Sequence, residues 1–240
     1  MLGFGKEVIT GLMEDRKSLA VILTLLLLTG CQGYKIENGR WSLIRYNEGV
    51  GRMVTGVKDA DQDSFTPVNR EYAKDNGHVY WETQVIPGAD PKTFTCLGQL
   101  YSRDKAKVFW REREIKGADP NSFKIVDGGK LLSKDEKDFY FAETPLHVLD
   151  FHSFTIINEG WKKDAKAYYT TPYFSKAGRV DCDYLTMKIL SNEYAADRNR
   201  AYYYDRPIEG VDVQTFKVTG TAKAKDRYRK YRGGKEDWLK

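Results

Sequence analysis

The chain has 240 residues, 30% of them charged, and a formal net charge of +5 at pH 7; its mean hydropathy is negative. This composition excludes a protein embedded in a membrane along its whole length, and the length allows one large β domain or two ordinary domains. Aromatic residues make up 13%, with 16 Tyr and 11 Phe. Such a content favours strands and half-exposed surfaces.

The amino-terminal segment differs from the rest of the chain. Leu19 to Leu28 is an apolar run that follows Arg16 and Lys17 and precedes small residues. A run this short with a basic lead predicts a signal peptide over residues 1–30 and not a spanning helix. The start of translation is open between Met1 and Met13, because the lead before Met13 is unusually long for a signal peptide.

Leu28-Thr29-Gly30-Cys31 resembles the lipobox of bacterial lipoproteins. The resemblance implies that Cys31 is acylated through its sulfur and becomes the first residue of the mature chain. Gln32, in place of an Asp, implies sorting to the outer membrane where the host has one. The expected location is therefore the bacterial cell envelope, with the protein lipid-anchored and facing the periplasm. Residues 31–53 are predicted to be a tether and a degenerate first unit.

One sequence motif occurs twice with few changes, at residues 86–94 and 115–123. In both copies Gly is followed by Asp at a helix N-cap position and by Pro at the first helical position, and a Phe comes four residues after the Asp. Gly allows a positive φ, Asp can accept unpaired backbone amides, and Pro lacks the amide that would stay unpaired. The motif predicts a single capped turn that places its Phe in the core.

Weaker copies of this turn occur along the chain with anchor spacings of 29 to 33 residues, which indicates a repeat array. We interpret the Asp of each copy as a structural cap and the residue four positions later as a core anchor, and not as ligand-binding groups. The pairs are Asp61 and Phe65, Asp90 and Phe94, Asp119 and Phe123, Asp150 and Phe154, Asp183 and Met187, and Asp212 and Phe216.

Each repeat also has a front half, in which an aromatic residue follows an Asp by five positions. The pairs are Asp75 and Tyr80, Asp104 and Phe109, Asp135 and Tyr140, Asp164 and Tyr169, Asp197 and Tyr202, and Asp226 and Tyr231. Asn76-Gly77 between two strand-like runs predicts a type I′ hairpin. The predicted unit is a strand, a tight turn, an aromatic strand, a turn, a short strand, and then the capped turn with its anchor.

These patterns predict a mainly β fold built as an array of about five to six ~29-residue hairpin or meander repeats. An open curved array or solenoid is favoured. A small closed propeller-like ring is the alternative, because joining the two terminal half repeats would remove a sheet edge. The repeat domain is predicted to span residues 54–219, and residues 220–240 are predicted to be a basic terminal half repeat.

The front motif with its aromatic strand and the Gly-Ala-Asp-Pro turn resembles the bacterial DKNYY family over roughly Val54 to Tyr231. The resemblance is strongest at the copies that end in Phe94 and Phe123, and looser around Asp150 and Asp183. It implies an exported or lipid-anchored repeat protein with no assigned reaction.

No residue cluster predicts a metal site or a cofactor. His78, His147 and His152 have no partners at ligand spacing. Asp59, Asp61 and Asp63 resemble the start of a calcium loop, but the Gly at its sixth position and the acid at its twelfth are missing.

Catalytic residues are not predicted either, since the sequence contains no nucleophile motif or phosphate loop. Pairing of Cys96 with Cys182 is left open, because a repeat-stabilising disulfide would recur and this one does not.

Residues 220–240 contain eight Lys or Arg and three Asp or Glu, so this end alone accounts for the net charge. With Tyr228, Tyr231 and Trp238 interleaved, it could bind an anionic lipid or envelope polymer. The alternative is a solvated terminal unit, which repeat proteins need for solubility. Nucleic acid is not expected, because the predicted compartment holds none.

The function predicted first is that of a non-enzymatic, lipid-anchored envelope protein, a structural or interaction module whose protein partner is unknown. The alternative is a carbohydrate- or peptidoglycan-binding module that uses exposed tyrosines such as Tyr202, Tyr203 and Tyr204. A hydrolase with a site assembled across repeats comes third.

Overall fold

The computed structural model describes residues 33–126, 130–173 and 176–237. They form seven small antiparallel sheets, each a meander whose strands lie in chain order, and none of the described sheets closes into a barrel. The predicted mainly β repeat architecture is therefore confirmed. Cys31, Trp238 and the predicted signal peptide lie outside the described residues. The chain divides into two compact units, residues 1–92 and 93–240, so the division falls inside the range predicted as one repeat domain.

The first unit contains sheets 1 and 2. Sheet 1 consists of β1 (Gly33–Glu37), β2 (Arg40–Asn47) and β3 (Gly51–Gly56). Sheet 2 consists of β4 (Thr66–Pro67), β5 (Tyr72–Lys74), β6 (Val79–Trp81) and β7 (Gln84–Val85). A shared core joins the two sheets, and its buried residues are Tyr34, Leu43, Val57, Phe65, Ala73 and Tyr80.

The second unit contains five four-stranded sheets. Sheet 3 consists of β8 (Thr95–Gly98), β9 (Tyr101–Arg103), β10 (Val108–Trp110) and β11 (Arg113–Glu114). Sheet 4 consists of β12 (Lys124–Ile125), β13 (Leu132–Lys134), β14 (Phe139–Phe141) and β15 (Thr144–Pro145). Sheet 5 consists of β16 (Thr155–Ile156), β17 (Trp161–Lys163), β18 (Tyr168–Thr170) and β19 (Gly178–Val180).

Sheet 6 consists of β20 (Lys188–Ile189), β21 (Tyr194–Ala196), β22 (Ala201–Tyr203) and β23 (Arg206–Pro207). Sheet 7 consists of β24 (Lys217–Gly220), β25 (Lys223–Lys225), β26 (Lys230–Arg232) and β27 (Lys235–Glu236). Single turns of 3₁₀ helix, Phe151–Ser153 and Val213–Thr215, precede sheets 5 and 7.

The repeating unit has four strands and not the predicted three, and its first strand lies directly after the anchor. A short strand follows each anchor and pairs with the hairpin after it; Lys124–Ile125, directly after Phe123, pairs with Ser133–Lys134. Four of these six strands have only two residues, too few to show the alternation by which a strand is recognised in a sequence. Because of this extra strand, residues 217–236 form a complete sheet and not the predicted half repeat.

The hairpin at Asn76-Gly77 is not of type I′, because neither residue has the positive φ that this turn needs. The carboxylate of Asp75 accepts the backbone N–H groups of Gly77 and His78, at 2.8 and 2.6 Å, and sets a different turn. The other copies of this turn are built in the same way without a Gly, so the Asp and not the Asn-Gly pair determines the conformation.

The predicted caps form in four of the six turns. The side-chain Oδ1 of Asp119 accepts the N–H of Asn121 at 3.0 Å, and Asp61, Asp90 and Asp183 make the equivalent bond to the residue two positions on. At Asp150 and Asp212 the side chain caps no backbone amide, so the prediction is wrong there. In these two copies a 3₁₀ turn follows directly and its backbone bonds are made without the carboxylate.

Five of the six anchors belong to the hydrophobic core. Phe65, Phe94, Phe123, Met187 and Phe216 are buried. Phe123 packs between Tyr101 of sheet 3 and Tyr140 of sheet 4, with ring centroids 5.5 and 5.8 Å away. The remaining anchor, Phe154, is half-buried and its ring stacks on Phe139 at 3.9 Å.

Candidate functional site

The Asp of each front half is the centre of a buried hydrogen-bond network. Asp197 is only 4% exposed. Its Oδ1 accepts the backbone N–H groups of Asn199 and Arg200, at 2.8 and 2.7 Å. Its Oδ2 accepts the phenol O–H of Tyr202 at 2.6 Å and the backbone N–H of Asp183, the preceding cap, at 2.9 Å. One carboxylate therefore joins a hairpin turn, the aromatic strand and the capped turn before them.

We call this arrangement the Asp–Tyr node. It recurs with O–H to Oδ2 distances of 2.6 to 2.8 Å at Asp75, Asp135, Asp164 and Asp226. In sheet 3, Phe109 stands where the other copies have Tyr. Asp104 still accepts the N–H groups of its own turn there, so the turn does not depend on the phenol.

Burial and hydrogen bonding oppose each other at these carboxylates. Burial favours the neutral acid, but the bonds from Tyr231 and three backbone amides outweigh it and lower the pKa of Asp226 to about 2. The same balance lowers the pKa of Asp75, Asp135, Asp164 and Asp197. Burial, assisted by the carboxylate, raises the pKa of the partner tyrosines. A node thus holds an ionised acid and a neutral phenol at neutral pH. Such a pair is poorly suited to general acid–base catalysis, because neither group has a pKa near neutral pH.

A hydroxyl in five of the six capped turns has a partner that the sequence did not reveal. Thr186 Oγ1 accepts the N–H of Arg198, twelve residues later, at 3.1 Å. The same bond occurs at Ser64, Thr93, Ser153 and Thr215. The recurrence of Ser or Thr three residues after every capping Asp was the available signal.

Lys162 departs from the repeat pattern. It lies in β17 at a buried position where the other four-stranded sheets have Ala or Ser. Its Nζ donates to the carbonyl of Glu159 and the hydroxyl of Thr171. Thr171 lies in the segment between β18 and β19, which is longer than the corresponding connection in the other four-stranded sheets. Burial lowers the pKa of Lys162 to about 8. The lysine ties this irregular segment to β17.

A groove of about 530 Å³ lies beside the same segment. His147, Lys176, Arg179 and Asp205 are among its lining residues. Within the described part of the chain, neither Lys176 nor Arg179 forms an ion pair, so the groove could accept an anionic group.

The histidines do not assemble into a metal site. His78 lies beside Asp75, and His147 lies 3.3 Å from a carboxylate oxygen of Asp138. Among residues 33–126, 130–173 and 176–237, no group of three His, Cys, Asp or Glu side chains is placed to hold a metal. Cys96 and Cys182 are both half-buried and are not joined by a disulfide bond, so the pairing that the sequence allows does not form.

The proposed row of exposed tyrosines is not present. Tyr202 is completely buried in its node. Tyr203 and Tyr204 are half-buried and pack against each other with ring centroids 5.0 Å apart. The prediction failed because both faces of β22 are covered, as consecutive large residues on a strand require.

Sheet 7 presents an exposed face that carries charge of a single sign. Lys217 lies opposite Lys225, which lies opposite Lys230. One step along the strands, Lys223 lies opposite Arg232, which lies opposite Lys235. We call these six exposed side chains the cationic face. In the described residues, the one ion pair made by the face joins Arg232 to Asp237 at 3.1 Å.

No helix among the described residues has the length and apolarity needed to cross a membrane.

A series of four-stranded meanders, five of them joined to the preceding capped turn through a buried carboxylate, defines a β-repeat protein. Its sequence matches the DKNYY family over residues 34–113 and 101–235, and the chain belongs to that family. Comparison with curated proteins and with solved structures found no match.

Proposed function

We propose that this protein is a non-enzymatic, lipid-anchored component of the bacterial cell envelope that acts as a structural or interaction module. The observation that carries the proposal is the use of the repeated Asp. In each node both carboxylate oxygens already accept hydrogen bonds from the protein itself, and the pKa of the acid is lowered. The repeated residues therefore support the scaffold, and the exposed surfaces are left to bind partners.

The tether is proposed from the sequence. The apolar run that ends at Leu28, followed by Thr29-Gly30-Cys31, supports acylation of Cys31 and anchoring in the outer membrane. Two acyl chains on one residue are the kind of double signal that stable membrane anchoring requires.

Mass spectrometry of the protein isolated from membranes of a bacterial host tests this tether. We expect a mature chain that begins at Cys31 and carries lipid. The Cys31→Ser variant should keep its leader and lack lipid, whereas the matched Cys182→Ser variant should be processed normally. A mature chain without lipid, or one that begins at another residue, would contradict the proposal.

A carbohydrate- or peptidoglycan-binding module remains the second candidate. Tyr202 is buried and cannot contact a glycan. The groove near Lys176 and Arg179, which form no ion pair with any described residue, offers two cations to an acidic glycan. Saturable binding of soluble cell-wall fragments that is lost in a Lys176→Glu/Arg179→Glu variant would favour it.

A further inference from the structure

We propose that the cationic face of sheet 7 docks on the anionic headgroups of a membrane surface. The inference rests on the proposed envelope function, which brings the protein to a membrane, and it names the contact that the folded repeats would make there.

The first argument is the arrangement of like charges. Residues directly opposite each other on antiparallel strands have Cβ atoms about 5 Å apart, and like charges at that distance are destabilising. The cationic face contains two such rows, each crossing three strands. An exposed sheet face needs polar side chains to stay soluble, but charges of alternating sign would meet that need without repulsion. A face of one sign indicates an anionic partner.

The second argument is the contrast with other repeats. Lys223 and Lys230 occupy the strand positions held by Tyr194 and Ala201 in sheet 6, both of which are completely buried. Tyr72 and Val79 of sheet 2 are buried at the same positions. The positions that elsewhere build the core are thus used in sheet 7 to expose charge.

The third argument favours a lipid surface over a single polymer chain. A sheet face spreads its charges over two dimensions, so that all six side chains can meet a plane of headgroups together. Tyr228 lies in the turn between β25 and β26, beside the Lys225–Lys230 pair, and is 74% exposed with Arg227 above its ring. Tyrosine flanked by cations is typical of membrane–water interfaces. An acyl tether on the same chain would raise the effective concentration of the face at the bilayer.

The test uses the full-length lipoprotein, purified in detergent and reconstituted in vesicles. An environment-sensitive NBD dye is attached at Tyr228→Cys in a Cys96→Ser/Cys182→Ser background. The control carries the dye at Leu185→Cys, a site that is 90% exposed in another turn. Phosphatidylcholine vesicles with phosphatidylglycerol are compared with vesicles of phosphatidylcholine alone.

We expect a blue shift of the dye at position 228 on anionic vesicles, its loss in high salt, and no shift at position 185. Lys223→Glu/Lys225→Glu/Lys230→Glu/Arg232→Glu should abolish the shift. The matched variant Lys58→Glu/Lys124→Glu/Lys166→Glu/Lys188→Glu changes as many exposed cations outside sheet 7 and should retain it. Circular dichroism verifies that both variants are folded.

An unshifted dye on anionic vesicles, or a shift that survives charge reversal of the face, would overturn the proposal. A shift that appears only when an anionic cell-wall polymer is added would also overturn it and would identify the polymer as the partner. Acylation of Cys31 is measured on the same preparation by mass spectrometry, so that failure of the tether and failure of the face are distinguished.

Discussion

Replacing Asp197 with Ala should lower the free energy of unfolding by about 3–5 kcal/mol, because several buried donors lose their shared acceptor at once. The Tyr202 phenol and the amide of Asp183 both bind Oδ2 of this carboxylate. Without it they stay desolvated and unpaired. The loss is measured by urea denaturation followed by circular dichroism.

Two control variants distinguish the loss of the node's hydrogen bonds from a general effect of removing a negative charge. Asp181→Ala removes an exposed carboxylate that pairs with Arg200 on the surface, and should cost less than about 1 kcal/mol. Tyr202→Phe removes one hydrogen bond and should cost about 1 kcal/mol, since Phe109 occupies the equivalent position in sheet 3. An Asp197→Ala variant as stable as Asp181→Ala would disprove the structural role of the node.

Replacing Phe123 with Ala should also cost about 3–5 kcal/mol, the usual penalty for emptying the space of a buried aromatic ring. Phe123 is 4% exposed and lies between Tyr101 and Tyr140. Its loss removes contacts with both sheet 3 and sheet 4. Thermal unfolding of the variant gives the change in midpoint.

The matched control for Phe123 is Leu185→Ala. Leu185 is almost fully exposed, so its truncation should change stability by no more than about 0.5 kcal/mol. Equal midpoints for Phe123→Ala and the wild-type protein would mean that the capped turns do not deliver core anchors.

The repeat period, the aromatic strands and most of the caps could be predicted because they depend on neighbours close in sequence. The sequence did not predict which capped turn belongs with which hairpin. Asp197 lies 15 residues before the cap at Asp212 and 14 after the cap at Asp183. Both spacings are regular, so sequence alone does not tell which cap the carboxylate binds. The structure shows that it binds the preceding one.

The cationic face was missed for a related reason. The sequence showed the charge of residues 220–240, but the predicted unit ended at its anchor and left these residues as a half repeat. Once β24 is recognised, Lys223, Lys225 and Lys230 fall on one face by simple alternation, with Ala224 and Tyr231 on the other. The buried position of Lys162 carried no comparable sequence signal, because a lysine in a strand is normally solvated.

A carboxyl ¹³C NMR titration of the node aspartates tests the central claim that these acids are ionised structural groups. A carboxyl group whose pKa is lowered by folding stabilises the folded state at pH values above its pKa in the unfolded chain, near 3.9. This stabilisation is lost as the pH falls through the pKa of the folded state. The account predicts that Asp226 titrates at a pKa of about 2 and that Asp75, Asp135, Asp164 and Asp197 titrate below their ordinary value. Node aspartates that titrate near neutral pH, as a catalytic acid would, would contradict it.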